Sequence, residues 1–238
     1  LAQRTLITLT KAVCTELNLP QPSAVISSTD QNVLKLLGFV RATCDDMVSE
    51  HDWQVLQKRY TFTTTNGDDT YAFPTDLERF ISGTFYDTTT RWPMNGSLPP
   101  GQWEYIKSMS LASSPFKRFR VFGDQITLDP VPGATPVTCA LEYISSSYVR
   151  DGTTQLTKAD FEADSDICLF DHRLIIYGTK LKFLASISQD TTAALIEFQR
   201  ALDYAKGTDS PAPRLSLLGG RVVPLLSTAN LPETGFGS

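Results

Sequence analysis

Lys58–Phe73 reads KRYTFTTTNGDDTYAF, and the hydrophobic period changes there. Tyr60 and Phe62 alternate with threonines, Asn66-Gly67 supplies residues that tolerate positive φ, and Tyr71 and Phe73 answer on the far side, so a β-hairpin is expected. The chain before it has helical spacing instead. Leu6, Leu9, Val13 and Leu17 define a first helix over Thr5 to Asn18 that stops at Leu19-Pro20-Gln21-Pro22. A second helix is expected from Ser28, with Ser28 and Gln31 as a capping box, to about Asp52. It turns Val33, Leu34, Leu37, Cys44, Met47 and Val48 inward and shows Lys35, Arg41, Asp45 and Ser49 outward.

Downstream of Phe73 the strand-like pattern continues through Phe80 to Tyr86 and Arg91-Trp92, with Met94-Asn95-Gly96 as a turn. Pro99-Pro100-Gly101 opens a short helix through Trp103 and Lys107. Three more strands follow at Phe116 to Phe122, Gln125 to Leu128 and Pro136 to Ile144. Helical spacing returns over Asp166 to Ile187, marked by Phe170, Leu174, Tyr177, Leu181 and Leu184. A fourth long helix is expected from Gln189-Asp190 to a stop at Lys206-Gly207, with Ala194, Leu195, Phe198, Ala201, Leu202 and Ala205 in register. The fold class is therefore α+β: a four-helix core from both chain ends, residues 1–57 and 159–207, with an antiparallel β unit inserted at 58–158. Residues 208–238 are expected to form an extended C-terminal arm. It is rich in proline and glycine yet carries Leu215, Leu217, Leu218, Val222, Val223, Leu225, Leu226, Leu231 and Phe236, too apolar for a free tail, so it is expected to lie on its own domain or a neighbour.

The 238 residues are 41% hydrophobic with a formal charge of -5, which excludes wholesale disorder and gives no support to a dedicated nucleic-acid wrapper. No apolar run reaches the roughly 17–25 residues that cross a bilayer, so no membrane partner is expected. The chain begins without Met, read as a missing or removed start, and Thr5, Thr8, Thr10 and Lys11 break any signal-peptide core, so a protein that is not secreted is expected. Cys14, Cys44, Cys139 and Cys168 lack paired spacing and read as small buried hydrophobes rather than a disulfide or zinc set.

Catalytic signatures are weak. His51 ends a helix beside Glu50 and Asp52, and His172 follows Asp171, with no nucleophile elbow, HExxH or phosphate loop in the chain. Asp45-Asp46 reads as a helix face and Asp68-Asp69 as part of a turn. Asp160, Glu162, Asp164 and Asp166 match the acids that gather at the positive end of a helix. A carboxylate hydrolase using Asp164, Asp166 and His172 is a distant rival; no enzyme, metal or cofactor is expected. Phe116–Phe122 interleaves Lys117, Arg118 and Arg120 with aromatics, so a single-stranded nucleic-acid module centred on Arg118, Phe119 and Arg120 is the alternative. The plainer reading is a sheet whose arginines pair with acids.

The order of several strings resembles the head-to-tail adaptors of short-tailed bacteriophages, the tail tubular protein A-like proteins. The likeness is carried by Leu19-Pro20, by Asp52-Trp53, by Phe73-Pro74-Thr75-Asp76-Leu77-Glu78-Arg79-Phe80 and by Arg91-Trp92-Pro93-Met94. It continues in Leu98 to Trp103, Phe119 to Asp124, Leu128-Asp129-Pro130, Glu142-Tyr143-Ile144 and Asn230 to Gly237. Its family-pattern positions are Pro74, Asp76, Arg79, Trp92, Trp103, Arg120, Gly123, Asp124, Pro130 and Tyr143. The resemblance implies a non-enzymatic structural virion protein at the head–tail junction, assembled in the host cytoplasm into a ring expected to be a dodecamer. Its partners would be itself, the portal protein and the tail nozzle or tail fibre proteins, with transient, non-specific contact to double-stranded DNA passing through the bore.

Overall fold

The computed structural model describes residues 3–108 and 117–209. In chain order these form α1 (Leu6–Glu16), α2 (Gln31–Glu50), a 3-10 turn (Gln54–Leu56), β1 (Gln57–Thr63), β2 (Thr70–Ala72), β3 (Leu77–Phe80), β4 (Tyr86–Asp87), β5 (Trp92–Pro93) and α3 (Pro100–Ser108). They continue with β6 (Arg118–Phe122), β7 (Gln125–Asp129), β8 (Thr138–Ser145), β9 (Val149–Arg150), β10 (Thr157–Lys158), β11 (Ile167–Cys168), α4 (His172–Ser186) and α5 (Thr192–Asp209). The fold is α+β, with helices from both ends of the chain packed together and antiparallel strand pairs between them.

Helix α4 is the centre of the helical layer, because α1, α2 and α5 all pack on it. Leu6, Leu9 and Val13 of α1, Leu36, Val40 and Cys44 of α2, and Leu174, Ile175 and Phe183 of α4 fill one apolar core. Each fully buried aliphatic side chain contributes roughly 1.5–3 kcal/mol. Gly178 lets α2 approach α4 closely: a Cβ there would stand 2.4 Å from Thr43 Cγ2 and 3.1 Å from Phe198. Leu34, expected inward, is 40% exposed, while Leu36 and Val40 take its place, since the buried stripe runs 33, 36, 37, 40, 44, 47. Leu195 is likewise 41% exposed, and only Ala194 and Ala205 of α5 are buried.

Helix ends depart from the expected caps. Asp30, not Ser28, caps α2 by accepting from Asn32 N at 2.8 Å, whereas Ser28 Oγ accepts from Asp30 N. The third long helix begins at His172 behind the cap Asp171, because Ile167 and Cys168 are first used by a strand. Gly207 does not stop α5, which continues to Asp209; Thr208 Oγ1 donates to the Tyr204 carbonyl and Asp209 accepts from Gln54 N.

The expected hairpin does not form. β1 pairs antiparallel with β8, Tyr60 opposite Leu141, while β2 pairs with β7, Tyr71 opposite Ile126. Gly67, at φ +79°, turns the chain from one sheet to the other rather than folding it back on itself. β8 is the hub: β1 lies along one edge, and β3 and β4 lie end to end along the other. Backbone bonds from Asn95 N to Lys117 O and from Phe119 N to Asn95 O, 3.0 Å each, connect the β5 segment to β6, the neighbour of β7. Around these strands Phe73, Phe80, Phe85 and Phe119 form a chain of ring contacts, with Phe85 stacked on Phe119 at 3.9 Å. The Phe80 to Tyr86 run, expected as one strand, is two, β3 and β4, separated by a turn with Gly83 at φ +78°.

Candidate functional site

The string Phe73–Phe80 lies where the sheet meets the helices. Asp76 sits in the turn before β3, and its carboxylate accepts from Lys58 Nζ (2.7 Å), Ser145 Oγ (2.7 Å) and Tyr143 Oη (2.9 Å). Its backbone carbonyl accepts from Ser146 N at 2.8 Å. Lys58 and Tyr143 are directly opposed across β1 and β8, so one carboxylate ties both strands to the β3 turn. Burial works against the charged form, but the hydrogen bonds from Lys58, Ser145 and Tyr143 prevail and hold the Asp76 carboxyl below the usual range. Burial and the same carboxylate push the Tyr143 phenol upward.

Three residues on, Arg79 reaches the opposite way. Its guanidinium donates to Val48 O (2.8 Å), His51 O (2.7 Å) and Asp52 Oδ1 (2.5 Å), closing the C-terminal end of α2, where carbonyls lack helical partners. Trp53 completes that closure with Nε1 to Met47 O at 2.6 Å, its ring buried between His51 and Phe170. Arg79 thus bolts the β unit to the helical core, while Asp76 ties β1 and β8 to the β3 turn within the β unit. Asp52, beside Trp53, is the side chain that Arg79 grips.

The remaining family-pattern positions serve the β unit. Pro74 O accepts from Leu77 N and Asp124 O from Phe73 N. Gly123, at φ +57°, occupies the first position of the two-residue turn between β6 and β7. Trp103 is buried under α3 with Lys107 Nζ 5.1 Å from its ring, whereas Trp92 is 46% exposed. Pro130 follows Asp129, whose carboxylate lies 3.8 Å from Lys107 and 3.9 Å from Arg118. Arg120 is 3.6 Å from Glu104 and over the Phe122 ring. Phe119 points into the aromatic core. The basic and aromatic groups of this strand are therefore engaged as in an ordinary sheet, which begins at Arg118; Phe116 lies outside the described residues.

Asp87 was not singled out from the sequence, and Gly96 was read there only as part of a turn. Asp87 is buried, accepts from Thr89 N and Thr90 N and pairs with Lys117 Nζ at 2.5 Å. Its signal was the Asp-Thr-Thr-Thr run, an Asx-turn pattern. Gly96 has φ +157°, and a Cβ there would fall 2.3 Å from Phe119 O.

The acidic run does not meet the start of α4, as expected, but organises a loop against α1 and α2. Asp164 accepts from Val25 N and Ile26 N, Asp160 pairs with Arg41 at 2.8 Å, and Asp166 accepts from Glu162 N and Ala163 N. The carbonyls of Asp166 and Asp164 take the amides of Leu6 and Ile7, capping α1, whose own Thr5 side chain makes no cap bond. Among the described residues no group of three or more His, Cys, Asp or Glu is placed to hold a metal ion. His51 lies 3.4 Å from Asp209, and His172 Nδ1 3.6 Å from Asp171. All four cysteines are free and buried, with Cys44 and Cys168 sulfurs 3.8 Å apart and burial pushing the Cys139 thiol up to about 11. No helix among the described residues is long and apolar enough to cross a membrane.

The candidate interface positions Leu215, Leu217, Leu218, Val222, Val223, Leu225, Leu226, Leu231 and Phe236 lie outside the described residues. Comparison with known families matches residues 4–218 to a model described as SU10 adaptor protein. No curated protein matches the chain.

Proposed function

The chain belongs to the SU10 adaptor protein family, a family of phage head–tail adaptors, and from that premise we propose that it forms the ring between portal and tail nozzle through which the double-stranded DNA genome passes. Adaptor membership makes it a structural component of the virion at the head–tail junction. The ring, twelve copies in the resemblance, is the finer proposal. The observation that carries it is the leftover apolar surface of α5: Leu195, Ile196 and Tyr204 are 41%, 44% and 64% exposed on a helix that packs chiefly on α4. A closed ring needs two different sticky patches per chain, and an edge helix of this kind supplies one.

In this reading residues 1–57 and 159–207 make the wall that touches neighbours and portal. Residues 58–158 project outward or toward the tail nozzle and tail fibre proteins, and the arm 208–238, through Leu215 to Phe236, bridges to the adjacent chain or the portal. The Arg79 connection supports it, since a part that transmits load between head and tail needs its two portions held rigidly. Deleting residues 215–238 tests the arm: the truncated chain should keep its helical circular dichroism and melt cooperatively while losing ring or portal binding in sedimentation. Normal assembly by the truncated chain refutes that role.

A further inference from the structure

The four cysteines have no paired spacing in the sequence, yet the fold brings two of them together. Cys44 lies on α2 and Cys168 on β11, 124 positions apart, and their sulfurs stand 3.8 Å from each other. Both residues are fully buried, in the apolar core of the helical layer. An S–S bond needs a separation of about 2.0 Å, so the two sulfurs have to approach by about 1.8 Å. Cys14 is buried on α1, and Cys139 belongs to the separate core of the β unit.

The pair straddles the inserted strands, since Cys44 precedes β1 to β8 and Cys168 follows them. A covalent link would close all of these strands into one loop and tie α2 to the strand that leads into α4. Non-covalent contacts already hold this segment in place. Arg41, one helical turn before Cys44, donates to Asp160 Oδ1 and Phe161 O, each at 2.8 Å, and Cys168 N donates to Arg4 O at 3.2 Å. β11 is only two residues long, the kind of short element that opens locally without global unfolding. Burial pushes the Cys44 thiol well above its ordinary range, so little thiolate forms in the closed state and oxidation proceeds through such opening.

We propose that Cys44 and Cys168 are a modification site, a thiol pair that hydrogen peroxide converts into an intramolecular disulfide within the folded chain. One sulfur attacks a peroxide oxygen: the S–O bond forms, the O–O bond breaks, and the departing hydroxide leaves as water with that thiol's proton. The second sulfur then displaces the hydroxyl of the sulfenic acid, forming S–S, breaking S–O and releasing a second water with its own proton. Two thiols lose two electrons, and one peroxide gains them. In the test the full chain, reduced and then freed of reductant, is treated with hydrogen peroxide below its unfolding temperature and mapped by mass spectrometry without reduction. A peptide linking Cys44 to Cys168 is expected as the main cross-link. The linked chain should melt about 5–10 °C above the reduced one, because the link closes a long loop in the unfolded state. Dithiothreitol should reverse both changes, and Cys14→Ala with Cys139→Ala should leave both intact. Thiols that survive the peroxide, oxidation that stops at sulfenic or sulfinic acid, or links to Cys14 or Cys139 in comparable amount overturn the proposal. So does a linked chain that melts no higher than the reduced one. Comparing the parent chain reduced and oxidised needs no substitution, so the test stands even where a core variant fails to fold.

Discussion

Arg79→Ala is expected to destabilise the protein by about 2 kcal/mol. The guanidinium makes two charge-assisted bonds to α2 carbonyls, Val48 O and His51 O, and one ion pair to Asp52. Bonds of this type contribute roughly 1.5–3 kcal/mol when buried. The Arg79 side chain is 31% exposed, so water can replace part of each, leaving about 1 kcal/mol apiece. Asp52 is 59% exposed and adds about 0–1 kcal/mol. For a chain of this size that total lowers the melting temperature by roughly 4–8 °C. Arg79→Lys keeps the charge near Asp52 but loses the planar fork that reaches two carbonyls, so it should recover less than half of the loss. Urea unfolding followed by tryptophan fluorescence measures both, and Trp53 against the same helix end gives a local signal. If Arg79→Lys matches the parent and Arg79→Ala loses under about 0.5 kcal/mol, the idea that this residue joins sheet to helices is wrong.

Gly178→Ala places a methyl 2.4 Å from Thr43 Cγ2 and should cost about 1–2 kcal/mol despite the better helix propensity of alanine. Adding Thr43→Ser removes that methyl while keeping the hydroxyl bond to Phe39 O, so a double-mutant cycle by urea unfolding should show rescue. Acid should weaken the fold through Asp76 and Asp87. In both, burial opposes ionisation but hydrogen bonds, from Lys58 to Asp76 and from Lys117 to Asp87, hold the folded carboxyl below its unfolded value of about 3.9. Their stabilisation is therefore full above that unfolded value and lost as pH falls through the lower folded one, so the urea midpoint should be flat from about pH 5 to 7 and decline below about pH 4. Asp87→Asn should be less stable at neutral pH and show a shallower decline; a parallel curve would count against this assignment.

Helices α1 and α2 were legible because a 3.6-residue period bounded by Pro20 and by a polar cap residue has few other solutions. The period of two at Tyr60, Phe62, Tyr71 and Phe73 announced strands but not their partners. Local turn chemistry at Asn66-Gly67 favours a hairpin, yet Tyr60 and Phe62 are buried better against β8, far along the chain. The acids from Asp160 to Asp166 were read as belonging to the following helix, whereas their amide partners at Leu6, Val25 and Ile26 are remote in sequence and carry no side-chain signature. Arg79 and Asp76 appeared only as members of a recurring string. Arg79 joins sheet to helix through Val48, and Asp76 ties strands together through Lys58 and Ser145, partners that no local pattern connects to them.

Electron microscopy of the full chain, mixed with the portal protein of its own phage, tests the adaptor account most directly. It predicts an added ring on the portal axis, with helices α1, α2, α4 and α5 in its wall and an axial bore wide enough for duplex DNA. A portal that stays bare, with the chain beside it as a lone particle, contradicts the account.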